Sequence, residues 1–362
     1  MTSRNRWMIL SLMGLFALTA CDDTTGPGQT FDPGVAAEDY EAMSNVVSSP
    51  EWDDFRTATL AFSYGEGQSQ DVPAALAQTL DGLDGLRNAR GEDLARNIIS
   101  HWGELPTSAQ AIISETHRGV TFEWSTETLD YYAGERAGAP TNGVRFILYE
   151  LDANDAPIVE NEIGFVDLLD EGDDVEPVIL RLSATANNVN FLDYRVELSN
   201  PEVGSGSLAI DGFLRNDVDQ LDFDIDVAAS QSQNEGEVDI TFTATMDSRN
   251  FEIALALDGV NDASGESAAL SLSVTHGAHS IAVDGSVVDG VLDATIALNG
   301  EDWVTMTGDP ENPTFNSVSG EGLTAEELVM LGEVGNVAER VFEFFGELME
   351  PAMHIVFLGL IL

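Results

Sequence analysis

Lysine is absent from all 362 residues, and cysteine occurs once, at Cys21. The first absence removes a phosphate-binding loop ending in Gly-Lys-Ser/Thr, every Schiff-base mechanism and a Ser-x-x-Lys nucleophile. The second removes intrachain disulfides, multi-thiolate zinc sites and iron–sulfur clusters, so packing alone must stabilise the fold. Gly-x-Ser-x-Gly does not occur either, which excludes the usual hydrolase elbow. Basic charge is scarce: 14 arginines stand against 64 acids, for a formal net charge of −50. A surface of that sign repels nucleic acid and anionic head groups. Cations, basic partners or an apolar ligand are what it admits, and no cofactor motif is present.

The lone cysteine has an informative context. Arg4 and Arg6 precede an apolar run from Trp7 to Leu18, followed by Thr19, Ala20 and Cys21. Twelve helical residues span about 18 Å, short of the roughly 30 Å hydrocarbon core, so the run reads as a signal segment rather than a permanent span. Leu18-Thr19-Ala20-Cys21 resembles the export signal of bacterial lipoproteins. The alternative is an ordinary signal with a chance cysteine. The resemblance covers residues 1–21 only, and no family is identified for the folded part. It implies cleavage between Ala20 and Cys21, lipidation of Cys21, and anchoring to the bilayer by acyl chains worth about 0.8 kcal/mol per buried CH2. The location it implies is the cell envelope, facing the periplasm or exterior, at an inner or an outer membrane. Loss of Arg4 and Arg6 takes the charge from −50 to −52. Thr24 to Gly34, rich in Gly, Pro and Thr, reads as a flexible tether.

Two periodicities divide the remainder. Between residues 35 and 117 the apolar spacing is helical: Ala36 to Val47, a segment opened by Pro50, Val72 to Leu86, Glu92 to Trp102 and Ala109 to His117. From about Val120 the period is two. Leu221-Asp222-Phe223-Asp224-Ile225-Asp226-Val227 alternates without a fault, as do Val238 to Met246, Phe251 to Leu257, Leu270 to Val274 and Val291 to Leu298. Asp258-Gly259, Asp284-Gly285, Asp289-Gly290 and Asn299-Gly300 read as turns between strands. About a dozen strands between 120 and 319 predict an antiparallel meander, which at that width tends to curl or close. Ser207 to Gly212 echoes Ser280 to Gly285, through either a duplicated hairpin or chance. Thr324, followed by Glu326 and Glu327, opens a last helix that Pro351 should end, leaving apolar Ala352 to Leu362 to close the core or touch a membrane.

Candidate ligands are few. His276-Gly277-Ala278-His279 is the only close histidine pair and could hold a metal, but Gly277 also fits a hairpin turn. Asp152, Asp155, Asp173 and Asp174 lie in acidic loops that could offer oxygens to calcium, without the 12-residue loop pattern. Arg145, Arg181 and Arg195 sit in strands, where each could hold an anion or pair with the many aspartates.

The expected fold is mainly β with flanking helices (α+β), an antiparallel meander forming a barrel or half-barrel. A signal peptide (1–20) and tether (21–34) precede a helical N-terminal cap (35–117), the β domain (118–320), and a long C-terminal helix with its apolar tail (321–362). The expected function is that of an envelope lipoprotein acting as a structural or interaction module, not an enzyme. The alternative is carriage of a lipid or other apolar ligand inside a curved sheet, which resembles in outline the half-barrel lipid carriers of bacterial envelopes.

Overall fold

The structure, a computed structural model, describes residues 33–47, 49, 113–152, 156–172, 177–202, 205–231, 235–262, 265–310 and 312–361. The signal, the tether up to residue 32 with Cys21, the helical patterns between 50 and 112, and Asp155, Asp173 and Asp174 lie outside the described residues.

Helix α1 is Pro33–Val47. Proline suits its first turn, where the missing N–H has no partner to lose. Asp39, Ala42, Met43, Val46 and Val47 recur at helical spacing and form its buried stripe. Fifteen strands follow: β1 (Thr121–Ser125), β2 (Asp130–Ala133), β3 (Gly143–Leu151), β4 (Pro157–Asp170), β5 (Val178–Ala186), β6 (Val189–Glu202), β7 (Ser205–Arg215) and β8 (Gln220–Gln231). Then come β9 (Gly236–Met246), β10 (Phe251–Asp262), β11 (Gly265–His276), β12 (His279–Val288), β13 (Val291–Leu298), β14 (Glu301–Asp309) and β15 (Asn312–Ser317). They form a single sheet in the order β15 back to β3, then β1, then β2. From β3 to β15 every neighbour is antiparallel; the one parallel pairing is β1 with β3. No ladder joins β15 to β2, so the sheet is not a closed barrel.

Alternation decides which side is buried. In β8, Leu221, Phe223, Ile225 and Val227 are buried, while Asp224 and Asp226 face water. The same split runs through β5 to β14, so one inner face carries the core and the outer face carries Asp, Thr and Ser. Helix α2 (Ala325–Ile361) lies on that inner face. Among its described side chains, Val334, Ala338, Val341, Phe344, Phe345 and Leu348 are buried. Phe345 meets Phe242 edge-on at 5.6 Å between ring centroids, and the hydroxyl of buried Tyr194 donates to the carbonyl of Leu348 at 3.5 Å.

Several expectations need correction. Asp258-Gly259 and Asp284-Gly285 are not turns but lie inside β10 and β12, where Asp258 is paired with Asp239 and Gly285 with Ala294. Gly285 is there for close packing: a Cβ on it would lie 2.4 Å from that of Ala294. Asp289-Gly290 and Asn299-Gly300 are hairpin turns, with all four residues in the left-handed region. Ile113 to His117, the described end of the helix expected over Ala109 to His117, forms no helix but turns that run on to Gly119, in which Arg118 donates its N–H to the Ser114 carbonyl. Pro351 does not end the last helix, which continues to Ile361. Proline removes one bond to the carbonyl four residues back, a loss of about 3 kcal/mol, too little to break a long element with apolar residues on both sides.

The Ser207/Ser280 echo joins β7 to β12, five strands apart. These strands run in opposite directions, and the turns that follow them lie at opposite ends of the sheet. Tandem copying of whole hairpins shifts a meander by an even number of strands, so alternation alone accounts for the match.

Candidate functional site

The turns after β7, β9 and β11 lie side by side at one end of the sheet, and α1 crosses over them. Asn45 near its C-terminal end takes a hydrogen bond from Asn216 in the β7–β8 turn. Asp39, six residues earlier, reaches Arg249 in the β9–β10 turn and His276 at the end of β11. Six helical residues cover about 9 Å, close to the spacing of two strands, so the helix lies across the strand ends.

The side chains between α1 and the turns form a charged cluster. Asp39 is buried with one oxygen on His276 Nδ1 and the other 3.6 Å from Arg249. Buried Asp219 accepts from Ser248 Oγ at 3.0 Å and from Arg249 Nη2 at 3.0 Å. One guanidinium thus bridges two buried carboxylates, which keeps their charge from being stranded. The bond from Asp219, ahead of that from Asp39, holds the Arg249 guanidinium still more firmly protonated.

His276 and His279 are directly opposite each other across the hairpin, with Gly277 in the left-handed turn position. His276 is turned to Asp39, while His279 Nδ1 is buried without a hydrogen-bond partner. Among the described residues no group of three His, Cys, Asp or Glu side chains is arranged to hold a metal ion. Asp152, the other described candidate, accepts the N–H of Ala156 at 3.1 Å and shapes its own turn.

Three strand arginines, Arg145, Arg181 and Arg195, have carboxylate partners. Arg145 grips Asp167 with two bonds of 2.7 Å and lies 3.6 Å above the Phe165 ring. Arg181 grips Asp193 at 2.8 and 2.9 Å, and Arg195 bonds Glu197 at 2.7 Å and Asp211 at 3.4 Å. This compensation stops at β7. From β8 to β15 the sequence holds one arginine, Arg249, and it is in a turn. The outer face there carries Asp222, Asp224, Asp226, Asp239, Asp258 and Asp284. Burial, then the charges of Asp226 and Asp211, raise the Asp224 carboxyl above its usual range. A hydrogen bond with Asp258 raises Asp239, reinforced by burial and by the charges of Asp258 and Glu237.

Sequence reasoning singled out His276 but missed Asp39, Asp219 and Arg249. A usable signal existed for one of them: Asp39 occupies an apolar-stripe position on α1, and a carboxylate there must find a cationic partner. Compared with known protein families, curated proteins and solved structures, the chain matches none.

Proposed function

We propose that the chain is a cell-envelope lipoprotein, tethered by acylated Cys21, whose folded part is a structural or interaction module. In this reading the fifteen strands curl into a half-barrel, and the chain's own C-terminal helix fills it. The observation that carries the reading is the burial of Val341, Phe344, Phe345 and Leu348 against the inner face, at Phe242 and Tyr194. A carrier needs apolar volume that its own side chains leave free. Among the described residues, Arg145, Arg181 and Arg195 are paired with acids, and the best-formed polar cluster docks a helix.

The test is mass spectrometry of the protein expressed with its native N-terminus in a bacterial host. The expected result is a mature chain beginning at Cys21 and carrying acyl mass there, with no stoichiometric lipid elsewhere. A mature N-terminus at another residue, or an unmodified thiol, overturns the anchor. A second lipid that survives detergent exchange at one per chain overturns the packed module in favour of carriage.

A further inference from the structure

The tether and the fold together set which end of the molecule faces the membrane. Twelve peptide units separate Cys21 from Pro33, where α1 begins. Fully extended, that chain reaches about 40 Å. Its far end is not attached at a random point. Asp39, through Arg249 and His276, and Asn45, through Asn216, hold α1 across the β7–β8, β9–β10 and β11–β12 turns. The opposite turns, such as Val288 to Val291 between β12 and β13, lie a full strand length away. For the 12 residues of β11 that length is about 35 Å.

Acids lie at both ends of the sheet, so the docking of α1 and not charge sets the direction. Arg215, Arg249, His276 and His279 lie at or beside the turns at the α1 end, together with Asp217, Asp219, Asp247, Glu301 and Asp302. At the other end Glu202, Glu235, Asp262, Glu266, Asp289 and Asp309 flank the turns. The arginines nearest those turns, Arg118 and Arg181, are bonded to Asp170 and Asp193. Glu38 and Glu41 are exposed on α1, so anionic head groups are held off and the tether sets the gap.

We infer that the α1-capped end of the sheet is the membrane-proximal surface and that the acidic turns at the opposite end are presented away from the bilayer. This rests on the anchor proposed above. The absence of any other cysteine makes the test clean, because a thioether at Cys21 leaves an introduced thiol as the only one to label. Ala278→Cys, in the exposed β11–β12 turn, and Val291→Cys, at the exposed β12–β13 turn, sit on adjacent hairpins and differ mainly in the end they mark. Each full-length acylated variant is labelled with a donor dye and reconstituted into phosphatidylethanolamine/phosphatidylglycerol vesicles containing an acceptor-labelled lipid. The expected result is energy transfer at least twofold more efficient from position 278 than from position 291. Equal or reversed transfer in protein that floats with the vesicles and carries acyl mass overturns the orientation and leaves the anchor standing. Failure to float, or a Cys21 without acyl mass, overturns the anchor and this inference with it.

Discussion

Replacing Asp258 by Asn should stabilise the protein at neutral pH and leave it nearly unchanged in acid. Asp258 and Asp239 are directly opposite on adjacent strands, on the outer face, with no arginine on β9 or β10. The hydrogen bond between them requires a shared proton, which is why the Asp239 carboxyl lies above its usual range. A raised carboxyl means that the folded state binds the proton more tightly than the unfolded chain. The stabilisation is therefore complete below the unfolded value of about 3.9 and is lost as pH rises through the folded one. Once that proton is lost, the facing carboxylates repel. Opposed side chains are about 5 Å apart, and two charges at that distance in water cost about 0.8 kcal/mol. Both residues are exposed, so solvent and salt hold the effect to about 0.5–1 kcal/mol. Asparagine keeps the shape, donates to the Asp239 carboxylate and removes the repulsion. Urea unfolding of the two proteins at pH 7 and pH 3 should give that gain only at pH 7, with a rise in Tm of about 2 °C. Carboxyl NMR titration should show Asp239 falling toward the ordinary aspartate range, with burial and Glu237 still holding it up. An equal gain at both pH values, or none at pH 7, would refute a shared proton.

Four further perturbations probe the packing and the charge. Phe345→Ala removes a fully buried ring from the contact with Phe242 and should cost about 3–5 kcal/mol in urea unfolding, while Leu328→Ala at an exposed site should cost little. A loss under 1 kcal/mol at Phe345 would contradict the filled inner face. Gly164→Ala puts a Cβ 1.8 Å from the Thr185 carbonyl oxygen and should cost about 1–3 kcal/mol or more, whereas Gly236→Ala, whose nearest neighbour is 3.8 Å away, should be neutral. Asp39→Ala leaves His276 without its carboxylate partner and Arg249 with Asp219 alone, and should cost about 1–3 kcal/mol, less than a fully buried pair because both partners retain some solvent access. It should also increase proteolytic cleavage around α1; unchanged protease sensitivity would refute the docking role. With a formal charge of −50, self-repulsion should weaken as salt rises, so Tm should increase from low to molar NaCl; a fall would contradict this.

Strand identity was legible in the sequence because a half-buried strand must alternate, and Leu221 to Val227 does so with acids on every second residue. Turn positions were less legible. Asp-Gly marks a tight turn at Asp289-Gly290, yet inside β12 the same dipeptide puts an outward acid beside a glycine that makes room for Ala294. The local pattern is identical, and only cross-strand packing separates the two uses. Pro351 misled for a related reason: proline's cost is local and fixed, whereas the continuity of a 37-residue helix is not. The cluster under α1 was invisible as a unit. Asp39 and His276 are 237 positions apart, and only the meander brings the β7–β8, β9–β10 and β11–β12 turns together beneath one helix.

An open sheet this wide must still avoid adding strands from other molecules. Width does not worsen that problem, since a single sheet has two edges however many strands lie between them. Here β2 has four residues and β15 has six. Pro313 removes one N–H from β15, and both edges belong to a chain whose copies repel one another at a formal −50 apiece. Short edges and net charge thus do what closure does in a barrel, at a smaller cost in geometry: an open sheet has no shear or strand number to satisfy. It is free instead to be as wide as needed to cover α1 and α2. In a protein without lysine and with one cysteine, that leaves stability to the inner face, and the outer face is left to be as acidic as its surroundings allow.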